Sequence, residues 1–161
     1  MTKKNYISEI LIDESGLPAP NPEIKHERNL AIYDILQQNQ FCLDGRLVGA
    51  KLEGPFVIRL AIKNSLLFML VEDQHLKIKY ELHFSLTPLR PIIMDYFEIC
   101  KSYFNAVKRL PPTQIETIDM GRRGIHLEGG KALIERLSGK VKIDIPTAKR
   151  LFTLVCALQY K

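Results

Sequence analysis

The fold of this chain is decided by residues 56–71, which read FVIRLAIKNSLLFMLV. Alternate positions in the first half of this stretch are apolar, which is the two-residue period of a strand with one buried face. Asn64 and Ser65 are typical turn residues, and residues 66–71 are apolar on both faces. The stretch therefore predicts two antiparallel strands joined by a tight turn, with the second strand in the centre of a sheet.

The neighbouring segments extend this sheet. Residues 76–84, LKIKYELHF, alternate apolar and polar side chains more strictly than any other segment of the chain and predict a third consecutive strand. Residues 7–12 have the composition of a short opening strand. Together these segments predict a small antiparallel sheet, a three-strand meander plus a possible N-terminal strand.

After Phe84 the apolar residues recur every three or four positions, which is the period of helices. Strands early and helices late predict one compact α+β domain over residues 1–161, with four to five helices, mostly C-terminal, covering the sheet. Residues 1–5 are expected to be flexible. Residues 41–51 are predicted to form a loop or a bent strand, because glycines interrupt them.

Two helix starts carry capping residues. Asn21 followed by Pro22 predicts an N-cap and a first helical position, and the helix runs to about Gln38. Its inner side is predicted to contain Ile24, Ala31, Ile35 and either Arg28 or Ile32. Thr87 followed by Pro88 predicts the cap and first position of the next helix.

The C-terminal helices are predicted in short pieces. After Pro111 and Pro112 end the preceding helix, a capping-box pattern formed by Thr113 and Glu116 starts another. Gly121 and Gly124 are expected to interrupt this helix, and a separate helix is predicted over 131–137. For the remaining segments the sequence predicts a glycine cap at Gly139, a short edge strand over 141–143 and a last helix opened by Asp144.

Composition and charge indicate the kind of partner and the cellular compartment that suit this protein. The chain carries a formal charge of +5, and from Pro88 onward 13 basic residues stand against 7 acidic ones. This asymmetry indicates a basic surface on the C-terminal half and an anionic partner. Three widely spaced cysteines form no metal-binding motif and suit a reducing compartment, and the longest apolar run is too short to cross a membrane. We expect a cytoplasmic protein with no cofactor, no metal and no membrane partner.

The stretch from Asp119 to His126, DMGRRGIH, carries the most distinctive chemistry. Glycines allow close approach by a ligand, and an arginine binds a phosphate or carboxylate through two parallel hydrogen bonds. An imidazole with an ordinary pKa near neutrality is a candidate proton donor. The candidate ligand-binding residues are therefore Gly121, Arg122, Arg123, Gly124 and His126, with Asp119 in support. The structural alternative is that the glycines form an interhelical corner and the arginines pair with Asp119, Glu116 or Glu128.

A second cluster, His26-Glu27-Arg28, lies early in the first helix. His26 and Glu27 are candidate catalytic groups if they face His126 across a cleft, and Arg28 is a candidate supporting residue. The alternative is a solvated helix face with local ion pairs.

Several of these motifs together resemble an uncharacterised family of short bacterial cytosolic proteins, uncharacterised protein family two hundred and sixty-two. The resemblance covers residues from about 21 to 158, and Leu127 stands where a polar residue is expected in that family. It rests on His26-Glu27-Arg28, Leu86-Thr87-Pro88, Asp95-Tyr96-Phe97, Asp119 through His126, Arg150-Leu151-Phe152-Thr153-Leu154 and Cys156-Ala157-Leu158. The resemblance implies a bacterial cytosolic protein and no particular activity.

The residues favour a non-catalytic binding or regulatory module for an anionic partner, through the Gly-Arg-Arg-Gly motif. RNA, a phosphorylated metabolite and an acidic protein surface remain open as that partner. One alternative is an enzyme acting on a phosphate-bearing substrate with His126, assisted by His26 or Glu27. Another is a structural protein, with a homo-oligomer possible, in which the motif is an interhelical corner.

Overall fold

The computed structural model describes residues 5–44, 54–73 and 79–159. Of the flexible N-terminal segment predicted over residues 1–5, all but Asn5 lies outside the described residues. So do most of the predicted loop over 41–51 and the start of the strand predicted from residue 76.

The molecule is an α+β protein, as the sequence predicts. The described residues form six strands, which are β1 (Ile7–Ile12), β2 (Phe41–Leu43), β3 (Phe56–Lys63), β4 (Leu66–Glu72), β5 (Lys79–Ser85) and β6 (Val141–Ile143). Within the same ranges lie four α-helices, α1 (Pro22–Gln37), α2 (Arg90–Arg109), α3 (Pro112–Leu137) and α4 (Ile145–Gln159), and short 3-10 turns at Glu14–Gly16 and Thr87–Leu89.

The main sheet has the strand order β1-β3-β4-β5. The last three strands form the predicted antiparallel meander, and β1 joins its edge in parallel with β3. The turn between β3 and β4 has positive φ at both Asn64 and Ser65, as a two-residue hairpin requires. A second, two-stranded antiparallel sheet pairs β2 with β6, which confirms the predicted edge strand over 141–143.

Helix α1 begins as its sequence predicts. Asn21 Oδ1 accepts a hydrogen bond of 2.8 Å from the backbone N–H of Ile24, and Pro22 is the first helical residue. The sequence leaves Arg28 and Ile32 as alternatives for the inner side of the helix, and Arg28 is the one that is buried. The buried positions of the helix are Ile24, Arg28, Ala31 and Ile35.

Helix α4 occupies the centre of the helical layer. It contacts α1 on one side and α3 on the other, and nine of its fifteen residues are buried. Asp144 Oδ1 accepts a hydrogen bond of 3.0 Å from the N–H of Thr147, which confirms the predicted helix start. Gly139, with φ of 83°, follows the end of α3 in the left-handed conformation expected of a glycine cap.

The predicted interruption of the third helix is wrong. Helix α3 runs without a break through Gly121 and Gly124, and the segment predicted as a separate helix over 131–137 forms its last turns. A glycine costs about 1 kcal/mol in a helix relative to alanine, but it keeps its backbone hydrogen bonds. Packing of α3 against both α2 and α4 supplies the compensating stabilisation. The glycines therefore do not form an interhelical corner.

Two predicted helix starts are also wrong. Pro111 occupies the N-cap of α3 and has no polar side chain, so Thr113 falls inside the first turn and no capping box forms with Glu116. Thr87 lies within a 3-10 turn, where its N–H donates to Ser85 Oγ at 3.1 Å, and α2 begins only at Arg90. In both cases a proline at the first or second position sets the helical φ without help from a capping side chain.

Candidate binding site on the third helix

Asp119 holds both arginines of the motif at once. Arg122 donates to its Oδ1 from Nε at 3.1 Å and from Nη2 at 2.6 Å. Arg123 donates to its Oδ2 from Nε at 3.0 Å and approaches with Nη2 at 2.7 Å. The hydrogen bond from Arg122, and then that from Arg123, lower the pKa of Asp119 below its ordinary value. The cluster is thus two guanidiniums on one carboxylate, with a net charge of +1.

The two arginines differ in exposure. Arg122 is 34% exposed, and its guanidinium carbon lies 4.6 Å from the centre of the Tyr103 ring on α2. Arg123 is 71% exposed and projects from the outer side of α3. Asp119 engages Nε and Nη2 of each guanidinium, so the remaining N–H groups of the exposed Arg123 are the ones that face solvent.

His126 lies beneath this surface, between α2 and α4. Its ring stacks on Tyr96 with centroids 5.2 Å apart and meets the Phe152 ring edge-on at 6.4 Å. Its Nε2 contacts Thr153 Oγ1, and that hydroxyl donates its one proton to the backbone carbonyl of Lys149. The imidazole must therefore donate from Nε2, which leaves Nδ1 unprotonated.

The surroundings of His126 favour the neutral ring. Burial, followed by the positive charges of Lys149 and Arg122, lowers its pKa to about 4. His126 is consequently uncharged at neutral pH and is part of the packing between α2, α3 and α4.

Among the described residues, no hydrogen bond or ring contact joins the second sequence cluster to His126. His26 and Glu27 are exposed on α1. Arg28 is buried and donates to the carbonyl oxygens of Ala157 and Leu158, at 3.3 and 3.4 Å. Arg28 therefore supplies hydrogen-bond donors to two backbone carbonyls near the C-terminal end of α4, which lack partners within the helix.

The two glycines of the motif lie on open sides of α3. A Cβ added to Gly124 would have no atom within 4 Å, and one added to Gly121 would make ordinary contact with Ile99 at 3.5 Å. Packing thus requires neither of them. By contrast, a Cβ on Gly129 would come within 2.5 Å of the Phe152 ring, and one on Gly130 within 3.0 Å of Lys149. These two glycines, which sequence reasoning did not single out, allow α3 and α4 to approach closely.

An apolar pair flanks the exposed arginine on the outer side of α3. Met120 is 63% exposed and Leu127 is 37% exposed, and both lie within one turn of Arg123 and Gly124. We call these four residues the α3 outer face. Sequence reasoning missed Met120 and Leu127, although their spacing of seven residues places them on the same side of a helix that continues through the glycines.

The part of the chain that the structure describes contains no group of three or more His, Cys, Asp or Glu side chains able to hold a metal ion. In that same part, no helix combines the length and apolar character needed to span a bilayer.

Fold and site together define the chain as an α+β protein that presents an arginine-bearing helix face. The chain belongs to the Uncharacterised protein family (UPF0262), whose model matches residues 4–161. It is 53% identical over 154 residues to a UPF0262 protein of Ruegeria pomeroyi, covering 96% of each chain. It is also 53% identical to one of Roseobacter denitrificans, over 96% of this chain and 97% of the relative, and 51% identical to one of Paracoccus denitrificans, over 96% and 95%. No solved structure matches the chain significantly.

Proposed function

We propose that this protein is a non-catalytic binding module of the bacterial cytosol, and that its α3 outer face docks on an acidic protein surface. The observation that carries the proposal is the exposed Arg123 between Met120 and Leu127, beside the open notch at Gly124. Interfaces commonly combine arginine with methionine and other apolar side chains. A glycine on the contact side of a helix lets a partner approach its backbone.

A protein surface fits this face better than the other anionic partners. A phosphorylated metabolite requires a pocket that encloses it, whereas Arg123 is 71% exposed and projects from the helix. Nucleic acid is bound by several cations that follow its phosphates. Here Asp119 already neutralises one of the two guanidiniums, while the exposed apolar side chains suit a protein surface.

The geometry around His126 does not support its role as the proton donor of the enzyme alternative. A general acid at neutral pH needs a proton to give, whereas the pKa of His126 is lowered to about 4 and its Nε2 is engaged by Thr153.

A second candidate is an assembly role, in which the same face binds another copy of this chain. The pairing of both arginines with Asp119 favours it, because that carboxylate organises the guanidiniums without a ligand. Docking of a second copy would use the same residues and differs only in the partner.

The test is photo-crosslinking inside the bacterium, with benzoylphenylalanine in place of Met120. We expect an adduct with another protein that disappears when Arg123→Glu is added and persists with the matched control Lys79→Glu, an exposed charge reversal on β5. An adduct of twice the mass of the chain would replace the proposal with the assembly role.

RNA binding provides the complementary measurement. Affinity for a pool of short RNAs is compared at low and physiological salt, for the native chain and for Arg122→Ala/Arg123→Ala. Salt-sensitive binding that is lost in a folded double variant would make nucleic acid the partner and contradict the proposal.

A further inference from the structure

A cleft of about 690 Å³ lies on another part of the molecule, and its walls are rich in carboxamides. It opens where the end of α1 meets β2 and the start of α4, and its volume lies within the range of ligand sites. Of the twelve described residues that line it, five are asparagine or glutamine: Asn5, Gln37, Gln38, Asn39 and Gln40.

One of these side chains already binds a peptide unit in the way that a neighbouring strand would. Asn39 Oδ1 accepts from the N–H of Ile7 at 2.6 Å, and Asn39 Nδ2 donates to the carbonyl of Ile7 at 3.1 Å. A carboxamide has the same donor and acceptor as a peptide group, so the two are complementary. One carboxamide of the cleft therefore already pairs with a backbone peptide group.

The other carboxamides are available for the same pairing. Within the described part of the chain, the side chains of Asn5, Gln37, Gln38 and Gln40 make no hydrogen bond. The backbones of Gln38 and Gln40 are held in place, since the Gln38 carbonyl accepts from Arg150 and the Gln40 N–H donates to Thr147 Oγ1. The side chains therefore project from an anchored segment.

The charges of the cleft are balanced. Among the described residues that line it, Lys142 is the one basic residue and Asp144 is the one acidic residue. This lining selects neither a phosphate-bearing ligand nor a strongly cationic one. It suits a neutral ligand with alternating N–H and C=O groups, and the half-buried apolar side chains of Leu36 and Ile143 can contact its side chains.

From this geometry we infer that the cleft binds an extended polypeptide segment through its backbone, with Gln37, Gln38 and Gln40 pairing with the peptide groups. The site shares no residue with the α3 outer face, so the inference does not rest on the proposed function.

The experiment follows side-chain amide signals of the ¹⁵N-labelled full chain by NMR while acetylated, amidated tetra-alanine is added. This probe is uncharged and offers backbone groups with minimal side chains. We expect saturable shifts of the Gln37, Gln38 and Gln40 carboxamide signals, with the Gln114 carboxamide on α3 unmoved. In Gln37→Ala/Gln40→Ala we expect the probe affinity to fall at least tenfold, and in the control Gln114→Ala to stay unchanged.

Three results would overturn the inference. They are no saturable shift of the cleft carboxamides up to the solubility limit of the probe, equal shifts at Gln114, and a stronger response of the cleft to uridine at the same concentration. The double variant replaces exposed residues, so its folding is checked by the unchanged backbone spectrum outside the cleft.

Discussion

Asp119 determines the behaviour of the arginine motif at the scale of single residues. Its two oxygens accept from Arg122 and Arg123, so both guanidiniums are paired before any partner arrives. Ordering a flexible side chain on binding costs about 0.5–1.5 kcal/mol, and the carboxylate removes part of that cost in advance. The same pairing reduces the charge of the cluster, which favours a mixed apolar and acidic partner over a purely anionic one.

A first prediction concerns the pH dependence of stability. The pKa of His126 is about 4 in the folded protein, below its ordinary 6.5, so the unfolded chain binds more protons between these values. Stability from this group is therefore complete above pH 6.5 and is lost as the pH falls toward 4. We expect a loss of about 2 kcal/mol over this window after allowance for partial solvent screening.

Urea unfolding measured between pH 7 and pH 4 checks this prediction. The variant His126→Phe keeps a ring beside Tyr96 and should lose this part of the pH dependence, whereas His26→Gln on the exposed side of α1 should retain it. The same slope in His126→Phe as in the native chain would contradict the assignment.

A second prediction concerns the buried Arg28. Its Nε and Nη2 donate to the last carbonyls of α4, while its Nη1 has no hydrogen-bond partner and lies 4.0 Å from a carboxylate oxygen of Glu14. Arg28→Met keeps the aliphatic stem but leaves the two carbonyls unpaired, which should lower the free energy of unfolding by about 1–3 kcal/mol.

Chemical denaturation of Arg28→Met is compared with that of Lys25→Met, an exposed change on the same helix. If Arg28→Met were as stable as the native chain, burial of the guanidinium would cost as much as its hydrogen bonds contribute, and the capping role would be wrong.

At the scale of elements, α3 is the part of the molecule in which local sequence and tertiary packing disagree most. Four glycines lie within its 26 residues, and only Gly129 and Gly130 are required by contact with α4. The other two, Gly121 and Gly124, lower the stability of the helix, and no packing contact requires them. The proposed docking face gives a reason for Gly124, because a glycine there lets a partner approach the helix backbone.

We expect two glycine-to-alanine substitutions in α3 to change the free energy of unfolding in opposite directions. Gly124→Ala places a methyl group in open space and should raise the free energy of unfolding by about 0.5–1 kcal/mol. Gly129→Ala would place its methyl group within 2.5 Å of the Phe152 ring and should lower it by about 1–3 kcal/mol. Urea midpoints of the two variants measure the difference, and effects of the same sign would contradict the close approach of α3 to α4.

At the scale of the whole molecule, the two proposed sites should act independently. They share no residue, and substitutions without shared partners generally have additive effects. We expect Arg123→Glu to leave the tetra-alanine response of the cleft unchanged, and Gln37→Ala/Gln40→Ala to leave the crosslink at position 120 unchanged. Loss of both responses in either variant would indicate that the two sites are coupled or that the variant is unfolded. The backbone NMR spectrum distinguishes these two cases.

Much of the fold follows from short-range patterns. The alternation in β3 and β5, the apolar run of β4, the Asn64-Ser65 turn and the Asn21 cap of α1 each depend on residues close together in the chain, and each is observed. The candidate site was less predictable. Asp119 is one of three predicted carboxylate partners of the arginines. Its spacing of three and four residues pairs it with both only on a helix that continues through Gly121, and the sequence predicts an interruption there.

The α+β class and the meander follow from the sequence alone, because hydrophobic periodicity acts over a few residues. Tertiary structure decides that α3 continues through Gly121 and Gly124 and so carries both arginines, since packing on α2 and α4 outweighs the local preference of glycine. It also decided that His126 is neutral and packed between helices. The carboxamide cleft likewise depends on segments around residues 5, 38 and 143, which only the folded chain brings together.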